Sequence, residues 1–231
     1  MQTLLDALAS ALRLIVTLDA DVLEYAGRTL LIGLAATILA SLLGVPLGVL
    51  IAEREFPGKR ALVTLLNTLL AVPTVVVGLT LYVLLSRHGP LGSLQLLFTV
   101  RGIILGEAVL VLPIVTTFTL TAVARIDRDV RRTALALGAS HGQAFWTVMR
   151  EARFGVLAAV IAAFGRVISE VGVAMILGGN IDRFTRTMTT AIVLNVDMGN
   201  LALALALGIV LLGVALAVNV LLQSLQGGGG Q

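Results

Sequence analysis

The chain has 231 residues, of which 58% are hydrophobic and 13% charged. Soluble domains are roughly 45–50% apolar and about 25% charged, so the composition excludes an ordinary soluble globular domain. A net charge of +3 and 4% aromatic residues give little to bind or stack on nucleic acid, and the absence of cysteine excludes disulfides, thiolate metal sites and Cys nucleophiles.

At the N-terminus, Leu4, Leu5, Leu8, Leu12 and Ile15 share a helical face, with Asp6, Ser10, Arg13 and Thr17 elsewhere. Residues 1–28 are read as an interfacial segment whose helix lies on a membrane; a short sixth crossing is the alternative. Asp6 and Arg13, without a basic leader, do not fit a signal peptide. The apolar blocks follow. Residues 30–52 and 61–86 contain no charge, 102–124 contain only Glu107, 154–178 only Arg166 and Glu170, and 201–223 none. Each reaches the roughly 20 residues that cross about 30 Å of hydrocarbon as a helix. The fold predicted is an all-α integral membrane protein with five transmembrane helices over 29–223, a loop at 125–153 and a flexible tail at 224–231.

Five spans separate two sets of connections. Residues 53–60, 125–153 and the tail hold Arg54, Lys59, Arg60, Arg125, Arg128, Arg131, Arg132, Arg150 and Arg153; the other set holds Arg13, Arg28, Arg87, Arg101, Arg183 and Arg186. Nine against six places the first set in the cytoplasm, with the N-terminus outside and the C-terminus inside. Pro46, Pro73 and Pro113 fall within spans and predict kinks. These kinks are either packing irregularities or bends that line a cavity. Gly44 and Gly48 have the G-x-x-x-G spacing of closely packed helices.

Residues 125–153 are too long for a mere connection. Their GASHG matches G-x-S-x-G, but a hydrolase needs Ser140 on a strand-to-helix turn in an α/β sheet, and no sheet is predicted. The pattern instead reads as a helix over 128–137 ending at Gly138, a turn, and a second helix capped by Ser140. Small residues at Ala134, Ala136, Gly138, Ala139, Ser140 and Gly142 admit a close partner, and Phe145 and Trp146 supply an aromatic anchor.

The string Arg132-Thr133-Ala134-Leu135-Ala136-Leu137-Gly138-Ala139-Ser140 resembles the "EAA" loop, E-A-A-x-x-L-G-A-S, of ABC importer permeases. Phe145-Trp146-x-Val148 and Ala152-Arg153-x-Gly155 continue the pattern. Arg132 replaces the usual Glu, and Arg150-Glu151 replaces a Leu-Pro. Residues 169–192, SEVGVAMILGGNIDRFTRTMTTAI, resemble the segment that follows in oxyanion permeases for molybdate and tungstate, most closely tungstate. The resemblance implies a type I importer permease in a bacterial or archaeal inner membrane, not itself an enzyme. It also implies a homodimer, a separate ABC ATPase dimer carrying ATP and Mg²⁺, and an extracytoplasmic solute-binding protein. The chain has no phosphate loop, consistent with a separate ATPase. By the resemblance the coupling residues are Ala134, Leu137, Gly138, Ala139, Ser140, His141, Gly142, Phe145 and Trp146.

Ionisable groups inside a bilayer need partners or water. Arg166 and Glu170, spaced i,i+4, are predicted to pair. Together with Glu107 and Ser169 they either hold helices together or border the translocation path or gate. Asn180, Thr185, Thr187, Thr189 and Thr190 are read either as neutral hydrogen-bond donors at the outer mouth or as capped structure. No metal-ligand cluster is evident. Molybdate, sulfate and phosphate are the alternative cargoes. A secondary transporter would be expected to show internal repeats, and none is found.

Overall fold

The computed structural model describes residues 4–227. It is helical, with ten α-helices and no strand among the described residues. The helices are α1 (Leu4–Val16), α2 (Ala20–Glu53), α3 (Lys59–Leu69), α4 (Thr74–Leu85) and α5 (Val100–Ala124), then α6 (Arg128–Ala136), α7 (His141–Ile168), α8 (Gly172–Gly178), α9 (Met188–Asp197) and α10 (Leu201–Gly227). Helices α2, α5 and α10 are each long and apolar enough to cross a membrane, and the bent pairs α3/α4 and α7/α8 raise the number to five if each is one span.

Two predicted spans are therefore broken. Residues 61–86 divide into α3 and α4, whose axes differ by 101°. Pro73 accounts for this: it lacks an N–H and disfavours helical backbone at the residue before it. It caps α4 instead, its carbonyl accepting the Val76 N–H at 2.9 Å. Pro46 and Pro113 stay inside α2 and α5. Residues 154–178 divide between α7 and α8, bent by 60° with no proline at the bend. The first span begins earlier than predicted: α2 starts at Ala20, capped by Asp19, so the end of the expected 1–28 segment belongs to it. Its 34 residues measure about 50 Å at 1.5 Å each, longer than the hydrocarbon. At the other end α10 extends to Gly227; the start of the expected tail is helical, and 228–231 lie outside the described residues.

Helix packing in lipid gains little from the hydrophobic effect and depends on close approach of small residues. On α2, Ala36, Ala40, Gly44 and Gly48 form an i,i+4 row buried against α5. A Cβ at Gly48 would sit 2.6 Å from the Thr116 carbonyl oxygen, and one at Gly44 3.0 Å from Val115. The main core joins Ala36 and Ala40 to Val111, Val115, Ala163, Val167, Val173 and Leu177. A second cluster holds Ala11, Val22, Tyr25, Met188, Ala191 and Leu207. Ala7 and Ala11 thus dock α1 on the bundle, while Leu4, Leu5, Leu8 and Leu12 face outward. The apolar residues exposed along α2, among them Leu31, Leu34, Ile38 and Leu42, form the surface a lipid-facing helix presents.

Candidate functional site

The loop at 125–153 is a helix–turn–helix. Asp127 caps α6 by accepting the Asp129 N–H at 2.9 Å. At its other end Gly138 has φ +88°, the Gly138 N–H reaches the Leu135 carbonyl at 3.0 Å, and the Ala139 N–H reaches Ala134 at 3.0 Å. These paired bonds form a Schellman motif, which favours glycine at this position. A Cβ at Gly138 would meet nothing within 4 Å, so glycine is required first by backbone conformation.

Ser140 then opens α7. Its Oγ accepts the Gln143 N–H at 3.3 Å, and Gln143 Oε1 accepts the Ser140 N–H at 2.8 Å. Sequence reasoning found the Ser140 cap but not its reciprocal partner, although the S-x-x-Q spacing signals a capping box. The serine of the G-x-S-x-G pattern is thereby a helix cap. The second helix of the loop runs into the following span without a break, α7 continuing to Ile168. Val148 and Ala152 bury one face against Val49 and Val123, and Ala144 on the same helix is buried as well. Leu137 and Trp146 point outward, 83% and 72% exposed, with His141 and Gly142 exposed and Ala134, Ala139 and Phe145 half-buried. Arg131 of α6 pairs with Glu53 at the end of α2, which ties this surface to the first long helix. That pair was not anticipated; its partners are 78 residues apart.

The bend between α7 and α8 gathers Arg166 and Glu170 beside Glu107 of α5. Arg166 Nη1 lies 2.8 Å from Glu170 Oε2. The other carboxylate oxygen, Oε1, accepts the Gly172 N–H at 2.8 Å and the Val173 N–H at 3.4 Å. Glu170 thus supplies acceptors to N–H groups that the chain break left unpaired. Its own carbonyl accepts the Thr189 hydroxyl at 2.6 Å, and Ser169 donates back to the Gly165 and Arg166 carbonyls at 3.0 Å. Glu107 of α5 is 2% exposed, and its Oε2 has no hydrogen-bond partner among the described residues. Glu107, Glu170, Thr29, Thr187 and Thr189 line a cavity of about 10 Å³, about the minimum for a single water. The bend therefore holds two buried acidic side chains and one arginine that is half out of the core.

The loop from Gly178 to Thr187 is built from hydrogen bonds rather than left open. Gly179 and Asn180 are both left-handed, at φ +69° and +50°. Thr185 Oγ1 donates to Gly178 O at 2.6 Å and accepts the Ile181 N–H at 2.9 Å. Thr187 and Thr190 form the capping box of α9, and Asn180 Oδ1 accepts from Arg186 Nε at 3.2 Å. Hydroxyls read as donors for an anion are thus engaged inside the fold. Arg186, Asp182 and Tyr25 close the loop onto α2: Arg186 Nη1 is 2.8 Å from Asp182 Oδ1, which accepts the Tyr25 hydroxyl at 2.9 Å. Arg28 Nη1 adds a bond to the Arg186 carbonyl at 3.0 Å. The Tyr25 hydrogen bond, with the Arg186 charge beside it, holds the Asp182 carboxyl below its ordinary range. The i,i+4 spacing of Asp182 and Arg186 signals their pairing, but nothing in the sequence announces that Tyr25 and Arg28 of α2 join it.

The fold and site together are those of a helical membrane protein with three helices, or five if each bent pair is one span, long and apolar enough to cross a bilayer. Residues 44–227 match the family described as binding-protein-dependent transport system inner membrane component, and the chain belongs to it. The chain is 41% identical over 198 residues to a probable anion ABC transporter permease protein of Haloferax volcanii, covering 84% of this chain and 85% of that one. Two relatives are described as the tungstate uptake system permease protein TupB. That of Peptoclostridium acidaminophilum is 35% identical over 226 residues, 98% of this chain and 99% of its own. That of Campylobacter jejuni is 38% identical over 221 residues, 96% of this chain and 92% of its own.

Proposed function

We propose that the chain is the permease subunit of an ATP-binding-cassette importer that carries tungstate across the inner membrane. The observation that carries this reading is the nearly end-to-end likeness to two tungstate uptake permeases. It is supported by an exposed, doubly capped helix–turn–helix in a chain without a phosphate loop. Five spans cross the membrane, the bent pairs counting as one each, with the N-terminus outside and α1 lying at the interface. Two copies pair around the path. A separate ATPase dimer holds ATP and Mg²⁺ and seats on Ala134, Leu137, Gly138, Ala139, Ser140, His141, Gly142, Phe145 and Trp146. A binding protein delivers the anion from outside.

Closure of the ATPase pushes this surface. Because α7 is one helix from His141 to Ile168, the displacement reaches the bend directly, roughly 40 Å away at 1.5 Å per residue. Glu107, Arg166, Ser169 and Glu170 act there as the gate, and Asn180, Thr185, Thr187, Thr189 and Thr190 form the rigid frame of its outer side. Alternating access then amounts to a change in the bend between α7 and α8.

The test is tungstate accumulation in cells expressing the permease with its ATPase and binding protein, each omitted in turn. Uptake that requires all three is expected. Uptake that persists without the ATPase refutes the reading in favour of secondary transport, and preferential accumulation of molybdate, sulfate or phosphate reassigns the cargo. Topology is tested in parallel by single cysteines in this cysteine-free chain. Residue 129 should label from inside and residue 183 from outside; the opposite result reverses the orientation.

A further inference from the structure

On α7, Trp146, Arg150, Arg153, Leu157 and Val160 recur at intervals of three or four residues and so share one face of the helix. They line a groove of about 540 Å³. A second groove, of about 620 Å³, lies beside it between α7 and the end of α2. Pro46, Val49 and Leu50 form its apolar wall, Arg54 stands among its lining residues, and it shares Trp146 and Met149 with the first groove. Along α7 the lining changes from aromatic to basic to apolar as the helix enters the span. From Trp146 to Val160 it measures about 21 Å at 1.5 Å per residue, which matches one leaflet with its headgroups, about half of 40–45 Å.

Arg54, Arg150 and Arg153 are exposed and belong to none of the ion pairs among the described residues. Glu53 and Arg131, which also line the second groove, neutralise each other, and Glu151 lines a different cleft with Arg125. The two grooves therefore carry three positive charges without an acidic partner, at the edge of the hydrocarbon, where a charge needs a partner or water. The Arg153 guanidinium lies 4.6 Å over the Phe154 ring; stacking occupies its face and leaves the N–H edge for a two-point contact with a phosphate. We propose that the grooves hold an anionic phospholipid of the cytoplasmic leaflet, its phosphate on Arg150 and Arg153 and its two acyl chains on either side of Met149. Basic pockets between membrane helices recognise such headgroups, whereas a zwitterionic lipid would bring its own cation against the three arginines. The choice of leaflet rests on the orientation proposed above. Because α7 runs unbroken from the docking surface past these arginines to the bend, the lipid braces the helix that carries the displacement.

The experiment uses the permease–ATPase complex in mild detergent, with native mass spectrometry counting the phospholipid retained per permease. Phosphatidylglycerol should stay bound, and phosphatidylcholine with the same acyl chains should not. Arg150→Gln/Arg153→Gln should weaken phosphatidylglycerol binding by about ten-fold, the effect of losing a hydrogen bond to a charged group. Arg150→Lys/Arg153→Lys keeps the charge without the planar fork and should retain the preference for phosphatidylglycerol at lower affinity. Arg87→Gln/Arg101→Gln, which removes two exposed arginines elsewhere, should bind as wild type. Glycerophosphoglycerol, the same headgroup without acyl chains, should not compete. The proposal is overturned if the two lipids are retained equally, if the Arg150/Arg153 glutamine variant binds as wild type or loses no more than the Arg87/Arg101 variant, or if the acyl-free headgroup displaces the lipid. It is also overturned if Leu157→Cys, in this cysteine-free chain, crosslinks to the ATPase or to a second permease, since a protein then fills the groove. Retention is read without transport, so an error in the cargo appears in the uptake assay alone and an error in the orientation in the cysteine labelling alone.

Discussion

Replacing Arg166 by alanine isolates the charge balance at the bend. Removing one partner of a fully buried ion pair costs about 3–5 kcal/mol. Here the Arg166 side chain is 40% exposed and Glu170 3%, and Glu170 keeps the Gly172 and Val173 N–H groups. The expected loss is therefore that of one charge-assisted hydrogen bond, about 1.5–3 kcal/mol. Glu170→Gln should cost less, about 1 kcal/mol. The amide oxygen still serves both N–H groups, the freed Arg166 is already half-exposed, and one of two acidic groups leaves the cavity shared with Glu107. The double mutant should be more stable than Arg166→Ala alone. Thermal unfolding of the purified permease reads these differences, since 1 kcal/mol shifts the midpoint of a chain this size by about 2–4 °C. A Glu170→Gln loss equal to or larger than that of Arg166→Ala, or a double mutant equal to the sum of the singles, would refute the view that Arg166 neutralises Glu170.

Gly48→Leu should force α2 off α5, because even a Cβ would lie 2.6 Å from a backbone oxygen. Such overpacking costs about 1–3 kcal/mol, and reduced yield of folded permease on size-exclusion chromatography checks it. Gly138→Leu strains a residue at φ +88° by about 1–3 kcal/mol and should weaken ATPase co-purification while membrane insertion survives; undiminished binding and transport would sink the docking role of the loop. Ser140→Ala removes one half of a capping box and should cost about 0.5–2 kcal/mol without abolishing transport. Asp182, with its pKa lowered chiefly by the Tyr25 hydrogen bond, contributes stability that is complete above its unfolded value and fades as pH falls through the folded one. Asp182→Asn should therefore flatten the acid limb of a stability profile taken down to about pH 3.

The charge-free runs at 30–52, 61–86 and 201–223 are sufficient to require a membrane, because no soluble fold hides that much apolar surface. The Gly44/Gly48 spacing and the Ser140 cap were also legible, each being a local rule that holds wherever the segment is placed. The helix–turn–helix at 125–153 was readable for the same reason: its helices, its Gly138 turn and its Ser140 cap depend on neighbours in sequence. What sequence could not supply were the contacts between distant residues. Gly172 in S-E-V-G is only a weak helix breaker; the bend is held by Glu170, whose side chain accepts the Gly172 and Val173 N–H groups and whose carbonyl accepts the Thr189 hydroxyl 19 residues on. The threonines at 185–190 could be read either as donors for an anion or as capped structure, and the fold spends their hydroxyls on caps and carbonyls. A span is set by the free energy of moving side chains out of water, which sums along the chain. Which hydroxyls are paired is set by contacts between distant segments, as Thr29 with the Met188 N–H and Thr189 with the Glu170 carbonyl show, and that is decided only when the helices come together.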